Sequence, residues 1–325
     1  MLNKEEFFNY VKANVGGYLV PKFHNSDIIL RSVVKANDRK MTALIIRPSQ
    51  DKHSPVPCIY LDDYYDRYSN GAHLLDLLDE IAECRNLYDS NLDGTDFDIL
   101  SHYSKIRDKL VIKMCDPSLN KRLLQEKVYT LEGDLAAIYY LNMNTKNDIS
   151  GMVAVDHDML QMWDVSAVQL RKDAIHAELK RGYALYTMEN LLCSISGLEK
   201  RKNLLKQTAE ENTPSVTGDT PFFVLTRDDM VFGASAVMHE QIMDQACSVI
   251  GSEKIYVLPS SIHEVLLLPV NDFADIEMLT NIVKEVNSTQ VAIEDLLSDK
   301  VQIYDSITHK LCSAVDLAAS ESISA

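Results

Sequence analysis

Phe222-Phe223-Val224-Leu225, the polar turn Arg227-Asp228-Asp229 and the run Val231-Phe232-Gly233-Ala234-Ser235-Ala236-Val237 open a region of alternating apolar runs and helical periodicities that extends to Val286. Short β-branched and aromatic runs bounded by Asp and Gly read as strands. A helix is expected next, with Ile242, Ala246 and Val249 on one face and Gly251 as the residue that ends it. The pattern then repeats. Ile255 to Leu258 and Val265 to Leu268 flank the turn Pro259-Ser260-Ser261-Ile262-His263-Glu264, and a helix opened by Asp272 carries Ile276, Leu279, Val283 and Val286. Neither of these strands alternates strictly, so their sheet needs cover on both faces.

Upstream the same grammar recurs. Asn3 and Glu6 form a capping-box pattern before Phe7, Phe8 and Val11. Ile28 to Val34 and Met41 to Ile46 are strands joined through Lys35-Ala36-Asn37-Asp38-Arg39. An extended piece from Pro55 to Leu61 leads through an acidic, tyrosine-rich stretch to a helix with Leu74, Leu78 and Ile81, and a further helix is expected around Phe97 to Leu110. Leu135 to Leu141 and Met152 to Val155 are strands around the turn Asn144 to Ser150. Ser166 then caps a helix with Leu170, Ala174 and Ala177.

This string of strand-strand-helix units predicts an α+β fold built on largely antiparallel sheets, with unequal spacing that argues against a solenoid. Between Gly197 and Thr220 the composition turns polar and ends in Asn212-Thr213-Pro214-Ser215-Val216-Thr217-Gly218-Asp219. Residues 1–200 are therefore expected to form an N-terminal region, 201–219 a linker and 220–325 a C-terminal region, with a frayed tail from Ala318 to Ala325.

The 48 acidic against 32 basic side chains give a net charge of −16, which repels a phosphate backbone and disfavours nucleic acid as a partner. The only basic cluster, Lys200-Arg201-Lys202 with Lys206, reads as a solvated face. Cys58, Cys84, Cys115, Cys193, Cys247 and Cys312 are scattered, without a C-x-x-C pair, as expected of reduced and mostly buried thiols in a cytoplasmic protein. No apolar run has the length of a membrane span, and the acidic opening does not read as a signal segment.

A set of segments carries a resemblance: Val34-Lys35-Ala36-Asn37, Tyr60-Leu61 to Gly71, Gly133-Asp134-Leu135-Ala136, Leu160-x-x-Trp163, Phe232-Gly233-Ala234-Ser235-Ala236 and Leu258 to Glu264. In this order they resemble the bacterial domain-of-unknown-function family 5688, common in Gram-positive gut bacteria. The resemblance covers nearly the whole chain and implies no activity, ligand or partner. Arg227 stands where the family's turn is expected to carry Asn.

Candidate chemistry is sparse. Ser260, Ser261, His263 and Glu264 supply the hydroxyl, imidazole and carboxylate that acyl or proton transfer needs, but neighbours on one strand cannot all converge, so a hairpin turn is the expected role. Asp156-His157-Asp158 has metal-ligand residue types, yet a helix cap toward Leu160 and Trp163 is the simpler reading, and no metal or cofactor is expected. The small run Gly233-Ala234-Ser235-Ala236 implies close packing or room for a ligand. Tyr60, Tyr64, Tyr65 and Tyr68 with Asp62, Asp63 and Asp66 form a strip that either contacts a partner protein or marks a half-exposed helix entry. The leading expectation is a non-enzymatic protein that binds another protein or a small ligand. The alternative is a hydrolase or transferase with its site around Pro259 to Glu264.

Overall fold

The computed structural model describes residues 1–49, 56–92, 97–144, 150–206, 222–271 and 275–316. The chain forms two compact units, one of Met1–Tyr103 with Met143–Met152 and one of Ser104–Asn142 with Val153–Ala325.

In the first unit, α1 (Lys4–Asn14) begins with the expected capping box. The Glu6 N–H donates to Asn3 Oδ1 at 2.9 Å, and the Asn3 N–H donates to Glu6 Oε2 at 2.8 Å. β1 (Ser26–Val34) and β2 (Lys40–Pro48) pair antiparallel from Ser26↔Pro48 to Val34↔Lys40 without a slip. Asn37 and Asp38 turn the hairpin with φ of 58° and 52°, a left-handed conformation that Asn and Asp tolerate better than other side chains. β3 (Ile59–Tyr60) adds to β2 beside Ala43 and Leu44.

The tyrosine-rich stretch is itself a helix, α2 (Leu61–Ser69), followed by α3 (Leu74–Leu92). Its rings face inward: Tyr68 stacks on Phe7 at 5.1 Å, and Tyr65 meets the same ring edge-on at 5.6 Å. Asp62 is buried, accepting from the Thr42 N–H at 2.6 Å and pairing with Lys4 at 2.8 Å. The strip therefore helps to seal the core formed by Phe7, Leu44, Ile46, Leu78 and Ile81.

The second unit holds two sheets. After the short helix α4 (Tyr103–Ile106), β4 (Leu110–Cys115) lies at the edge of the first sheet, which orders β4-β6-β5. The single helix expected over Phe97 to Leu110 is broken into a 3-10 helix (Phe97–Ser101), α4 and a second 3-10 helix (Arg107–Lys109), and Leu110 already starts a strand, because Leu110-Val111-Ile112 supplies the apolar run that a buried strand needs. α5 (Lys121–Glu126), β5 (Tyr129–Glu132), β6 (Leu135–Asn144) and β7 (Ser150–Ala154) complete this layer. α6 (His157–Trp163) and α7 (Ala167–Arg181) follow, with Ser166 capping α7 as expected.

The second sheet contains β8 (Tyr183–Thr187), β9 (Phe223–Arg227), β10 (Lys254–Leu258), β11 (Glu264–Pro269), β12 (Gln302–Asp305) and β13 (Lys310–Ser313) in the antiparallel order β13-β12-β10-β11-β9-β8. α8 (Met188–Ile195), α9 (Glu240–Ile250) and α10 (Ile276–Thr289) belong to the same unit. Gly251 ends α9 at φ 77°, as its position implied. Asp275 caps α10, whereas the expected opener Asp272 lies outside the described residues, as do 207–221 and the tail from 317. Leu279 and Val283 pack with Tyr256, Leu258 and Leu268 in one core.

Two expectations change here. Val231 to Val237 is not a strand: after Met230 and Phe232, both left-handed, the chain forms a 3-10 helix, Gly233–Met238, with every residue buried. A Cβ on Gly233 would lie 2.4 Å from Thr226 Oγ1 and 2.5 Å from both the Arg227 N and the His263 O, so this approach admits glycine alone. The units also do not divide at the polar stretch expected to separate residues 1–200 from 220–325, since β8 and β9 on either side of it are hydrogen-bonded neighbours.

Candidate functional site

Leu170, Ala174, Ala177 and Glu178 form the buried stripe of α7, so helical spacing carries a carboxylate into the interior. Gly182, at φ 84°, then turns the chain so that Tyr183 returns to Glu178. Glu178 Oε1 accepts from the Ile112 N–H at 3.1 Å and from Arg227 Nη1 at 3.0 Å. Oε2 accepts from the Tyr183 hydroxyl at 2.7 Å and the Ser235 hydroxyl at 2.5 Å. A carboxylate offers about four acceptor positions, and here all are filled.

These contacts join the two sheets. Ile112 and Leu110 lie on the edge strand β4, and their outward groups meet α7 side chains rather than another strand: Glu178 takes the Ile112 N–H, and Arg181 Nη1 donates to the Leu110 O at 2.5 Å. Arg227, at the end of β9, is almost fully buried between Glu178 and Asp229. Burial desolvates the phenol of Tyr183, and the neighbouring Glu178 charge adds to this, so its pKa is raised well above the ordinary value and it stays protonated.

His239 completes the cluster, with Nε2 2.8 Å from the Tyr183 oxygen. Burial, assisted by the Arg171 charge, lowers its pKa to about 4, so the ring is neutral near pH 7. Because Tyr183 gives its proton to Glu178, the network assigns the imidazole proton to Nε2, which donates to the phenol oxygen. Nδ1 is then a buried lone pair without a hydrogen-bond partner among the described residues. Ser235 donates to a carboxylate and Tyr183 links that carboxylate to the imidazole, so the set lacks the nucleophile-to-imidazole contact of a triad.

The Pro259 to Glu264 turn joins β10 to β11. Ser260 and Ser261 are buried, and Ser261 Oγ accepts from the His263 N–H at 3.0 Å. The ring of His263 is part-exposed and stacks on Phe232 at 5.5 Å. Its Nδ1 accepts from the Phe232 N–H at 3.2 Å, which places the proton on Nε2, 3.2 Å from Asp295 Oδ1. Both ring nitrogens are thereby engaged. The His263 carbonyl accepts from Thr226 Oγ1 at 2.7 Å and from the Gly233 N–H at 2.9 Å, so the turn, the end of β9 and the 3-10 helix form one clasp. Glu264 begins β11 opposite Thr226 and is not drawn into the clasp.

Asp156 caps α6, accepting from the Met159 N–H at 2.9 Å, and Asp158 lies in the first turn of that helix. His157 lines an open surface concavity with Leu160, Gln161, Asp164 and Gln169. Among the described residues no group of three or more His, Cys, Asp or Glu side chains is placed to hold a metal ion. The thiols are all free, but only Cys115 and Cys247 are buried while Cys58 and Cys84 are exposed, against the expectation that most would be enclosed.

Fold and site together define an α+β protein with an enclosed polar cluster around Glu178. The chain belongs to the family described as "Family of unknown function (DUF5688)", which it matches over residues 4–306. No curated protein and no solved structure matches it.

Proposed function

We propose that this protein works by binding, to another protein or to a small ligand, rather than by catalysis. The observation that carries this reading is the engagement of both His263 ring nitrogens, one by a backbone N–H and one by Asp295, which leaves no lone pair to act as a general base. The alternative, a hydrolase or transferase around the Pro259 to Glu264 turn, would have to break the Phe232 N–H bond to Nδ1 before His263 could accept a proton. Glu178, with its acceptor positions filled, is equally committed.

The outer side of α8 supports the binding reading: Leu192 and Ile195 are mostly exposed, and Leu198 follows them in the same state, whereas Leu191 packs inward with Tyr186 and Val224. Clustered exposed apolar side chains favour contact with a partner. We place this activity in the cytoplasm, a reading supported by the six free thiols. Among the described residues no helix is long and apolar enough to cross a membrane.

The test compares the wild-type chain with Leu192→Asp/Ile195→Asp and with His263→Asn. Capture of a partner from native extract that is lost with the α8 variant and kept with His263→Asn supports the proposal. A turnover activity that His263→Asn abolishes without lowering stability overturns it.

A further inference from the structure

β1 has a partner on one side only, since β2 lies between β1 and β3 in the three-stranded sheet and no other strand pairs with β1 among the described residues. A nine-residue edge is long, and natural proteins usually blunt such edges with proline, a bulge or an inward-pointing charge. β1 has none of these. Its register to β2 is continuous, its sequence Ser-Asp-Ile-Ile-Leu-Arg-Ser-Val-Val contains no proline, and Ile28 and Leu30 pack on the core. Asp27, Ile29 and Arg31 are exposed.

The backbone polarity of the edge follows from the hairpin. The Lys35 N–H donates to the Arg39 O at 2.9 Å, so Lys35 faces β2, while the Thr42 N–H, opposite Ser32, turns away from β1 to Asp62. Donor direction alternates along an antiparallel strand, so Asp27, Ile29, Arg31 and Val33 direct their N–H and C=O groups to β2. Ser26, Ile28, Leu30 and Ser32 direct theirs to the open edge.

We propose that this edge pairs with the same edge of a second copy of the chain, antiparallel and centred on Ile29. A two-fold axis at that residue sets Ile28 against Leu30 of the other copy as a hydrogen-bonded pair and Ile29 against itself. Asp27 then lies opposite Arg31 of the other copy, twice. Both of these fall at non-hydrogen-bonded positions, where opposing side chains are closest. Charge selects this register: centring on Asp27 opposes two carboxylates, centring on Arg31 opposes two guanidinium groups, and centring on Ile28 or Leu30 leaves Asp27 and Arg31 without an opposite charge across the seam. Asp27 already faces Arg47 across the β1–β2 register, so each carboxylate in the dimer sits between two guanidinium groups.

The experiment is a charge-swap cycle on the full chain, read by sedimentation equilibrium with circular dichroism confirming the fold. Wild type is expected at twice the 36.7 kDa chain mass. Asp27→Arg alone and Arg31→Asp alone should each weaken dimerisation by about tenfold or more, because both symmetric pairs become repulsive. The double variant Asp27→Arg/Arg31→Asp should restore it, and the two single variants mixed should form a heterodimer in which both pairs are complementary. A monomeric wild type overturns the proposal, as does a dimer whose stability ignores the single reversals or which the double variant fails to rescue. These outcomes are independent of the α8 test, which reads capture of a different partner.

Discussion

Truncating Glu178 to alanine removes the acceptor of four donors at once, and the structure shows which of them can find another. Ser235 can turn its hydroxyl to the Phe232 O at 2.9 Å. Tyr183 can donate to His239 Nε2 at 2.8 Å if the imidazole moves its proton to Nδ1, the atom that now lacks a partner. The Ile112 N–H has no such recourse, and an unsatisfied buried donor costs about 1–3 kcal/mol. Arg227 keeps only Asp229. Breaking a buried ion pair from one side costs about 3–5 kcal/mol, which is the loss expected for Glu178→Ala. Glu178→Gln retains an oxygen for Ile112 and Arg227 while both hydroxyls can accept from its amide, so about half that loss is expected. Trp163, the single tryptophan, lies in the unit that contains the cluster, and its fluorescence in urea reads that unit's unfolding. With a slope of about 2 kcal/mol/M, the alanine variant should lower the midpoint by about 1.5–2.5 M. A loss below about 1 kcal/mol would falsify the assignment of Glu178 as the joint between the sheets, and equal losses in the two variants would refute the hydroxyl rearrangement.

Gly233→Ala should cost about 1–3 kcal/mol or more, since the added methyl meets backbone atoms of Arg227 and His263 that cannot move independently; unchanged urea unfolding would show that the 3-10 helix is free to shift. Leu279→Ala, in the core between α10 and the second sheet, should cost about 2–5 kcal/mol in the same assay, and a loss below about 1 kcal/mol would mean that this face of α10 is not packed as described. Burial, the largest influence on Asp116, would raise its carboxyl, but hydrogen bonds from Ser118 and Ser298 and the nearby Lys300 hold it below its ordinary 3.8. A lowered folded-state pKa contributes stability above the unfolded value that is lost as pH falls through the folded one, so Ser298→Ala should cost about 1 kcal/mol at neutral pH. Its difference from wild type should narrow below pH 3.8 in urea titrations, and a constant difference across that range would contradict the linkage.

Local sequence determined much of the fold, because caps, turns and periodic stripes are decided within a few residues. The Asn3–Glu6 box, the Asn37-Asp38 hairpin, the Ser166 cap and the Gly251 stop all form where their chemistry places them. The small run from Gly233 misled the strand reading because its conformation is set by the distant Thr226, Arg227 and His263 groups that surround Gly233, not by its own propensity. β4, β5, β8, β12 and β13 do not stand out in the sequence, since short strands gain their identity from the partners they pair with. The buried cluster left one legible trace, a glutamate four residues after Ala174 on an otherwise apolar stripe. That its four donors come from β4, β8, β9 and the 3-10 helix is a fact of tertiary structure alone, because a buried charge is tolerated only where separate elements converge to satisfy it.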